Sequence, residues 1–417
     1  MANTLKFGDG KWATGEGTAL AFNDENENFK PLPFTFTRAS TATVVNESGL
    51  IEEVGNDVPR IDFKDNTKGA LLLEPSRTNK VTYSDDFSQW TDYNASAVLS
   101  EETIYGKNAY KIVEDNTTNY HGVYLSNLFG ADGTNYIWSA YVKGAERRYV
   151  VLTARTGISS DASALIFDTQ EGEWVLDDSN QNEALFAENV GNGWWRIGIE
   201  GNPTSGAYDS YTIASAIGFS SYLDANYQGD GTSGFYVAMA QVEAGSYATS
   251  YIPTSGSAVT RVVDACTGAG NEQVINSTEG VLYAEISALA NDGTDRHITI
   301  NDGSSDNSVR LYFDALSNTI QTVIRRNSHS VVSEYYTIPN TLVLNKFAVK
   351  FKINDVALWY NGQEVAVSND FAGFSAGTLN KVSFERGSNV QSFYGYAKEV
   401  KVYNTALTDA ELATLTT

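Results

Sequence analysis

The chain has 417 residues, a formal net charge of −23 and a single cysteine, Cys266. That balance argues against a phosphate backbone as partner and favours solubility, and one cysteine cannot form an intrachain disulfide. No apolar run approaches the roughly 20 residues of a membrane span, and no signal peptide precedes the first polar residues. Gly and Tyr are abundant, and Ser, Thr, Asn and Asp crowd the segments between apolar runs. The composition predicts many short strands and turns: an all-β protein with two or three domains.

Residues 1–82 are expected to form an extended, meandering N-terminal segment. Leu5, Phe7 and Trp12 stand among Gly and Asn without a lasting period. Short strands are predicted at Ala42–Val45, Leu50–Val54, Arg60–Phe63 and Leu71–Glu74, separated by turn residues. With so little core of its own, the segment gains by packing on identical neighbours or on the next domain.

Residues 83–254 carry strand candidates at Ala109–Val113, Gly122–Leu125, Tyr136–Lys143, Arg148–Thr153, Ala164–Asp168, Trp194–Glu200, Tyr211–Ile217 and Phe235–Val242. That spacing suits a two-sheet jelly roll. Tyr136, Trp138, Ala140 and Val142 share one face, while Trp194 and Trp195 point to opposite faces, so at least one is core. Pro253 cannot donate to a sheet ladder, and Ser255-Gly-Ser257 follows it, so residues 255–270 read as a linker holding Cys266.

Residues 271–417 predict a second jelly roll. Phe347, Val349, Phe351 and Ile353 alternate with Lys346, Lys350 and Lys352. Asn361-Gly362 reads as a tight turn between two strands. Thr408 and Glu411 have the spacing of a capping box at the start of one short C-terminal helix.

No catalytic constellation assembles. His121, His297 and His329 lie far apart without metal spacing and read as surface or loop residues. The acid pairs Asp85/Asp86 and Asp177/Asp178 would point to opposite faces of a strand, and no G-x-S-x-G elbow is present. Sugar binding would need aromatic faces beside groups that hydrogen-bond hydroxyls. The candidates are Trp90, Tyr93, Tyr120, Tyr124, Trp174, Tyr227, Trp359 and Tyr360, each weighed against plain packing. Tyr335 and Tyr336 are a further pair of which one must face outward. Asp292, Asp295, Asn301, Asp302 and Asp306 form a polar cluster without the spacing of an EF-hand.

Three sets of phrases resemble known families. TYSDDFSQWT and GFYVAMAQVEAGSYATSYIPTSGSAVTR resemble the opening and closing strands of a carbohydrate-binding-module-like jelly roll found in many bacteriophage tail and fibre proteins. LKFGDGKWAT, PLPFTFTRASTATVVNESGLIE and LLLEPSRTN resemble the N-terminal segment of such proteins, and YNGQEV with VYNTALTDAEL resembles concanavalin A-like (laminin-G-like) jelly rolls. The resemblance implies a virion structural protein, a head or tail fibre or decoration protein. It would be made in the host cytoplasm, attach to other virion proteins through residues 1–82, form a homotrimer and adhere to glycans. No cofactor is implied; a structural calcium stays open, since both families often hold one. Two rivals stay open as well: a purely structural virion component, and a polysaccharide-degrading enzyme, although no enzyme is expected.

Overall fold

A computed structural model describes residues 4–19, 32–126, 128, 134–153, 165–177, 185–201, 210–388 and 390–417. The protein is all-β with one α-helix among the described residues, Asp409–Thr416. That helix is too short to cross a membrane, and no described helix is long and apolar enough to do so. The chain divides into two compact units: residues 77–261, and residues 1–76 together with 262–417.

The contiguous unit is a sandwich. Its first sheet runs Thr91–Tyr93, Thr118–Leu125, Tyr211–Ala216, Tyr149–Thr153, Leu165–Asp168, Glu173–Asp177, with Asn226–Gln228 also paired to Thr118–Leu125. Its second runs Ala95–Ile104, Lys107–Glu114, Gly234–Ala244, Tyr136–Gly144, Trp194–Gly201, Leu185–Gly191. Alternation decides what each strand contributes to the core. Tyr136, Trp138, Ala140 and Val142 from one sheet meet Val123, Val150, Leu152 and Ile213 from the other. Trp195 packs against this core and donates Nε1–H to the Thr169 carbonyl at 3.1 Å. Trp194, on the opposite face, is also buried.

The segment that follows the last long strand is tied back to it by a buried carboxylate. Glu243 accepts hydrogen bonds from Thr249 N (2.8 Å), Thr249 Oγ1 (2.6 Å) and Gln241 Nε2 (2.7 Å). Arg261 donates to Thr249 Oγ1 and Ser250 Oγ. Residues 255–270 are therefore not a free linker. Val259–Arg261 pairs antiparallel with Arg77–Asn79 at the entry to this unit, and Ala265–Thr267 pairs with Phe34–Thr37 in the other. The strand Gly234–Ala244 ends well before Pro253, and a backbone ladder resumes at Val259. Cys266 is consequently buried in a strand, and burial holds its thiol well above the usual range.

The discontinuous unit is a sandwich made from both ends of the chain. Its larger sheet runs Gln363–Ser368, Val356–Tyr360, Asn345–Lys352, Glu279–Ala288, Gly395–Tyr403, Ala70–Leu73, Arg60–Asp62, with Leu5–Gly8 along the other half of Gly395–Tyr403. The facing sheet runs His329–Thr337, Thr319–Arg326, Ser308–Phe313, Arg296–Asn301, Lys381–Ser383. Leu5, Phe7, Phe34, Phe36, Leu71 and Leu73 are fully or almost fully buried in the core that these sheets share. Phe347, Val349 and Phe351 face that core as their alternation predicts, but the strand ends at Lys352 and Ile353 is exposed. Against the outer face of the larger sheet, Leu412 of the helix packs with Tyr283, Trp359, Tyr403 and Leu407. Thr408 and Glu411 make the predicted reciprocal cap.

Residues 1–76 thus share the core of residues 262–417, and their burial is not confined to apolar groups. Arg38, Arg60, Glu74 and Asp264 are all buried. Arg38 lies 3.1 Å from Asp264 and donates to the Gly55 and Ser40 carbonyls at 2.7 and 2.9 Å. Arg60 bridges Glu74 (2.7 Å) and Asp264, and the Glu74 N–H donates to Asp264 at 2.8 Å. Burial opposes the charge on Arg60, yet Asp264 and Glu74 outweigh it and hold its pKa above the usual value. Charged side chains are almost never fully buried unless paired, and here two of each sign neutralise one another.

Candidate functional site

Thr91–Tyr93 lies at the edge of the first sheet of the contiguous unit, with Tyr93 opposite Gly122 and Thr91 opposite Tyr124. Because Val123 points into the core, Tyr120, Gly122 and Tyr124 point outward, beside Tyr93. The three tyrosines surround a glycine that cannot carry a side chain: a Cβ there would collide with the Ile213 carbonyl and with Ala214. The Tyr93 and Tyr120 rings stack at 6.0 Å and 26°, and Tyr124 meets Tyr93 edge-on at 6.3 Å. Such offsets suit the aromatic quadrupole. Tyr120 is buried against Val151, Ile166, Ala214 and Ala225, whereas Tyr93 and Tyr124 are half-buried. Burial, and then the nearby Tyr124 hydroxyl, raises the Tyr93 pKa. Asn226, exposed, stands opposite Tyr120 on the same face, and Thr91 is exposed beside Tyr124. The result is an apolar aromatic surface rimmed by an amide and a hydroxyl.

Three of the eight predicted aromatics are therefore brought together, and the other five are not. Trp90 is core, its Nε1–H donating to the Tyr83 carbonyl at 2.9 Å. Tyr227 is buried on the opposite face of its strand, and its hydroxyl donates to Glu114 at 2.6 Å. Trp174 is half-buried against Phe167, with Nε1 3.3 Å from the Phe186 carbonyl. Trp359 is buried beneath the helix, and Tyr360 stacks on Phe347 at 5.5 Å. What covers each of these side chains comes from segments distant in sequence and is invisible locally. Of the Tyr335/Tyr336 pair, Tyr335 is the exposed member.

Two histidine expectations are corrected in the same way. His121 is buried, with Nδ1 2.7 Å from the Asn94 carbonyl and Nε2 3.1 Å from the Tyr227 carbonyl. His297 is buried and stacks on Tyr312 at 4.1 Å; only His329 is exposed. Asp85 pairs with Lys107 at 2.8 Å, and Asp86 accepts from the Tyr110 hydroxyl at 2.8 Å. Asp178 lies outside the described residues. The polar cluster of Asp292, Asp295, Asn301, Asp302 and Asp306 is split by the strand Arg296–Asn301, which spans roughly 17 Å at about 3.4 Å per residue. At one end Asp292 pairs with Arg296 at 2.8 Å; at the other Asp302 accepts from Ser304 and Asn307. Among the described residues no group of three His, Cys, Asp or Glu is placed to hold a metal.

A cleft also escaped the sequence reading. Gly293, Thr294, Asp295, Ala315, Gln391, Ser392 and Tyr394 line a cleft of about 410 Å³ in the discontinuous unit. Its members come from three separate loops, the last nearly a hundred residues from the first, so no local motif announces it.

No family model matches the chain, and no curated protein matches it. Among solved structures, the carbohydrate-binding module CBM40 of the Ruminococcus gnavus IT-sialidase, bound to α2,3-sialyllactose, is 17% identical over 36% of this chain and 92% of its own, with a TM-score of 0.30. Domains LG4-5 of the mouse laminin α1 chain are 10% identical over 78% of this chain and 94% of their own, with a TM-score of 0.25. The Trypanosoma rangeli sialidase in complex with the inhibitor DANA is 11% identical over 97% of this chain and 76% of its own, with a TM-score of 0.29. At such scores these likenesses carry no argument about what this chain does.

Proposed function

We propose that the protein binds glycans without transforming them, through the face formed by Tyr93, Tyr120 and Tyr124. The observation that supports this reading is the convergence of three tyrosines around Gly122, with Asn226 and Thr91 at the rim. The C–H faces of a pyranose ring stack on half-buried aromatic rings, and amide and hydroxyl groups orient it. The buried carboxylates Glu74, Glu114, Glu243 and Asp264 are engaged by arginines or by hydrogen-bond donors of the fold, which suits structure rather than proton transfer. The phrase-level resemblance to phage fibre proteins adds the setting: a virion adhesin, held to other virion proteins and trimeric, so that weak sites act together.

A glycan array probed with the full chain and with Tyr93→Ala/Tyr124→Ala tests the site. The expected result is binding to a subset of glycans, at least tenfold weaker in the double variant. No binding, or binding that the variant leaves intact, overturns the assignment. Light scattering of the full chain tests the trimer, which a monomeric mass would contradict.

A further inference from the structure

The cleft in the discontinuous unit is built rather than incidental. Asn291 Nδ2 donates to Ser317 Oγ at 2.7 Å, and Asn318 N donates to Asn291 Oδ1 at 3.0 Å, tying the first two loops together. Asp295 ties all three: Oδ1 accepts from Ala315 N at 2.9 Å, and Oδ2 accepts from Gln391 Nε2 at 2.9 Å. The Asp292–Arg296 pair at 2.8 Å braces the base of the first loop. A site held in this way loses little freedom when a ligand arrives. Its volume of about 410 Å³ falls in the range of small-ligand pockets, roughly 300–1,000 Å³.

Its chemistry narrows the ligand. An ionised carboxylate offers about four acceptor positions, and the fold consumes two of those on Asp295. Ser392, Thr294 and the Gln391 amide add further hydrogen-bonding groups, while Tyr394 and Ala315 supply apolar wall. No described lining residue is Lys or Arg. Beside Asp295 stand the Asp292–Arg296 pair and His297, whose Nε2 lies 3.9 Å away and whose imidazole is held below its usual pKa by burial and by Arg310 and Arg386 behind it. The lining is therefore acceptor-rich, and its one charged side chain is the Asp295 carboxylate, which an anionic ligand would have to face.

We propose that this cleft is a second binding site, taking one uncharged, hydroxyl-rich ring such as a hexopyranose. Asp295 and Gln391 hydrogen-bond neighbouring hydroxyls, and Tyr394 lies against the ring. The site is in the other unit from the tyrosine face, and its existence does not depend on that assignment.

The test is ligand-observed saturation-transfer NMR on the full chain. The neutral probes are glucose, galactose, mannose and N-acetylglucosamine; the acidic ones are glucuronic acid and N-acetylneuraminic acid. At least one neutral sugar should bind, the acidic ones should not, and Gln391→Ala should weaken binding at least tenfold. Gln391 is exposed, so that variant should fold; Tyr394→Ala is the second variant. Tyr93→Ala/Tyr124→Ala should leave this binding in place. The proposal is overturned if no neutral sugar binds, if acidic sugars bind as well, or if Gln391→Ala changes nothing. A signal abolished only by Tyr93→Ala/Tyr124→Ala assigns the sugar to the tyrosine face and also overturns it.

Discussion

The two units solve the same problem with different materials. The contiguous unit, residues 77–261, closes on itself: its first strand, Arg77–Asn79, pairs with its last, Val259–Arg261. The discontinuous unit needs both chain ends, because Ala70–Leu73 and Leu5–Gly8 hydrogen-bond to Gly395–Tyr403. The first can be understood from one stretch of sequence. The second cannot, and it carries a buried four-charge network where its two segments join, Glu74 lying near the end of the first and Asp264 near the start of the second. Burying charge trades stability for dependence on every partner, since removing one leaves the others uncompensated.

That contrast can be broken most directly at Arg60. Arg60→Met leaves Glu74 and Asp264 buried with one cation fewer, at a cost of about 3–5 kcal/mol. Calorimetry of the full chain should show the transition of the discontinuous unit falling by many degrees while that of the contiguous unit stays. A shift of both transitions would mean that the units unfold as one.

Asp62 sharpens it further. Burial pushes this carboxyl up to about 6 from its ordinary 3.8, against a backbone hydrogen bond from Lys64. The folded state therefore holds the proton more tightly than the unfolded one. Stability from this group is full below about pH 4 and is lost as pH rises through about 6, a change of about 3 kcal/mol. Asp62→Asn should stabilise the discontinuous unit at pH 7.5 by that order, and by little at pH 4. Denaturant titrations showing no gain at pH 7.5 would contradict the buried ionisation.

At the edge of the same unit, Thr408→Ala removes the cap of the C-terminal helix and should cost about 1 kcal/mol. The effect is the smallest because the helix covers only the outer face of one sheet. A loss of several kcal/mol would show that Leu412 anchors more of that sheet than its own neighbours.

How much was legible in the sequence follows from the range of each signal. Alternation acts between residues two apart, so the inward faces of Tyr136–Gly144 and Asn345–Lys352 could be read directly. The capping box acts over three residues and was equally plain. Tyr93, Tyr120 and Tyr124 were visible as aromatic residues, but so were Trp90, Tyr227 and Trp359, which the fold buries away from that face. Nothing local separates the two groups, because exposure depends on which sheet lies opposite. A signal for the buried network did exist: Arg60, Glu74 and Asp264 each adjoin apolar strand residues, where an unpaired charge would be prohibitive.

By itself the sequence determined the all-β class, the short helix and the inward face of the strongest strands, because those depend on near neighbours along the chain. Only the tertiary structure decided that residues 1–76 complete a sheet with residues 262–417 and that three tyrosines share one face. It alone placed Asp295 beside Gln391 at the cleft. Those arrangements are pairings between distant segments, selected by register and burial, and no short window of residues contains them.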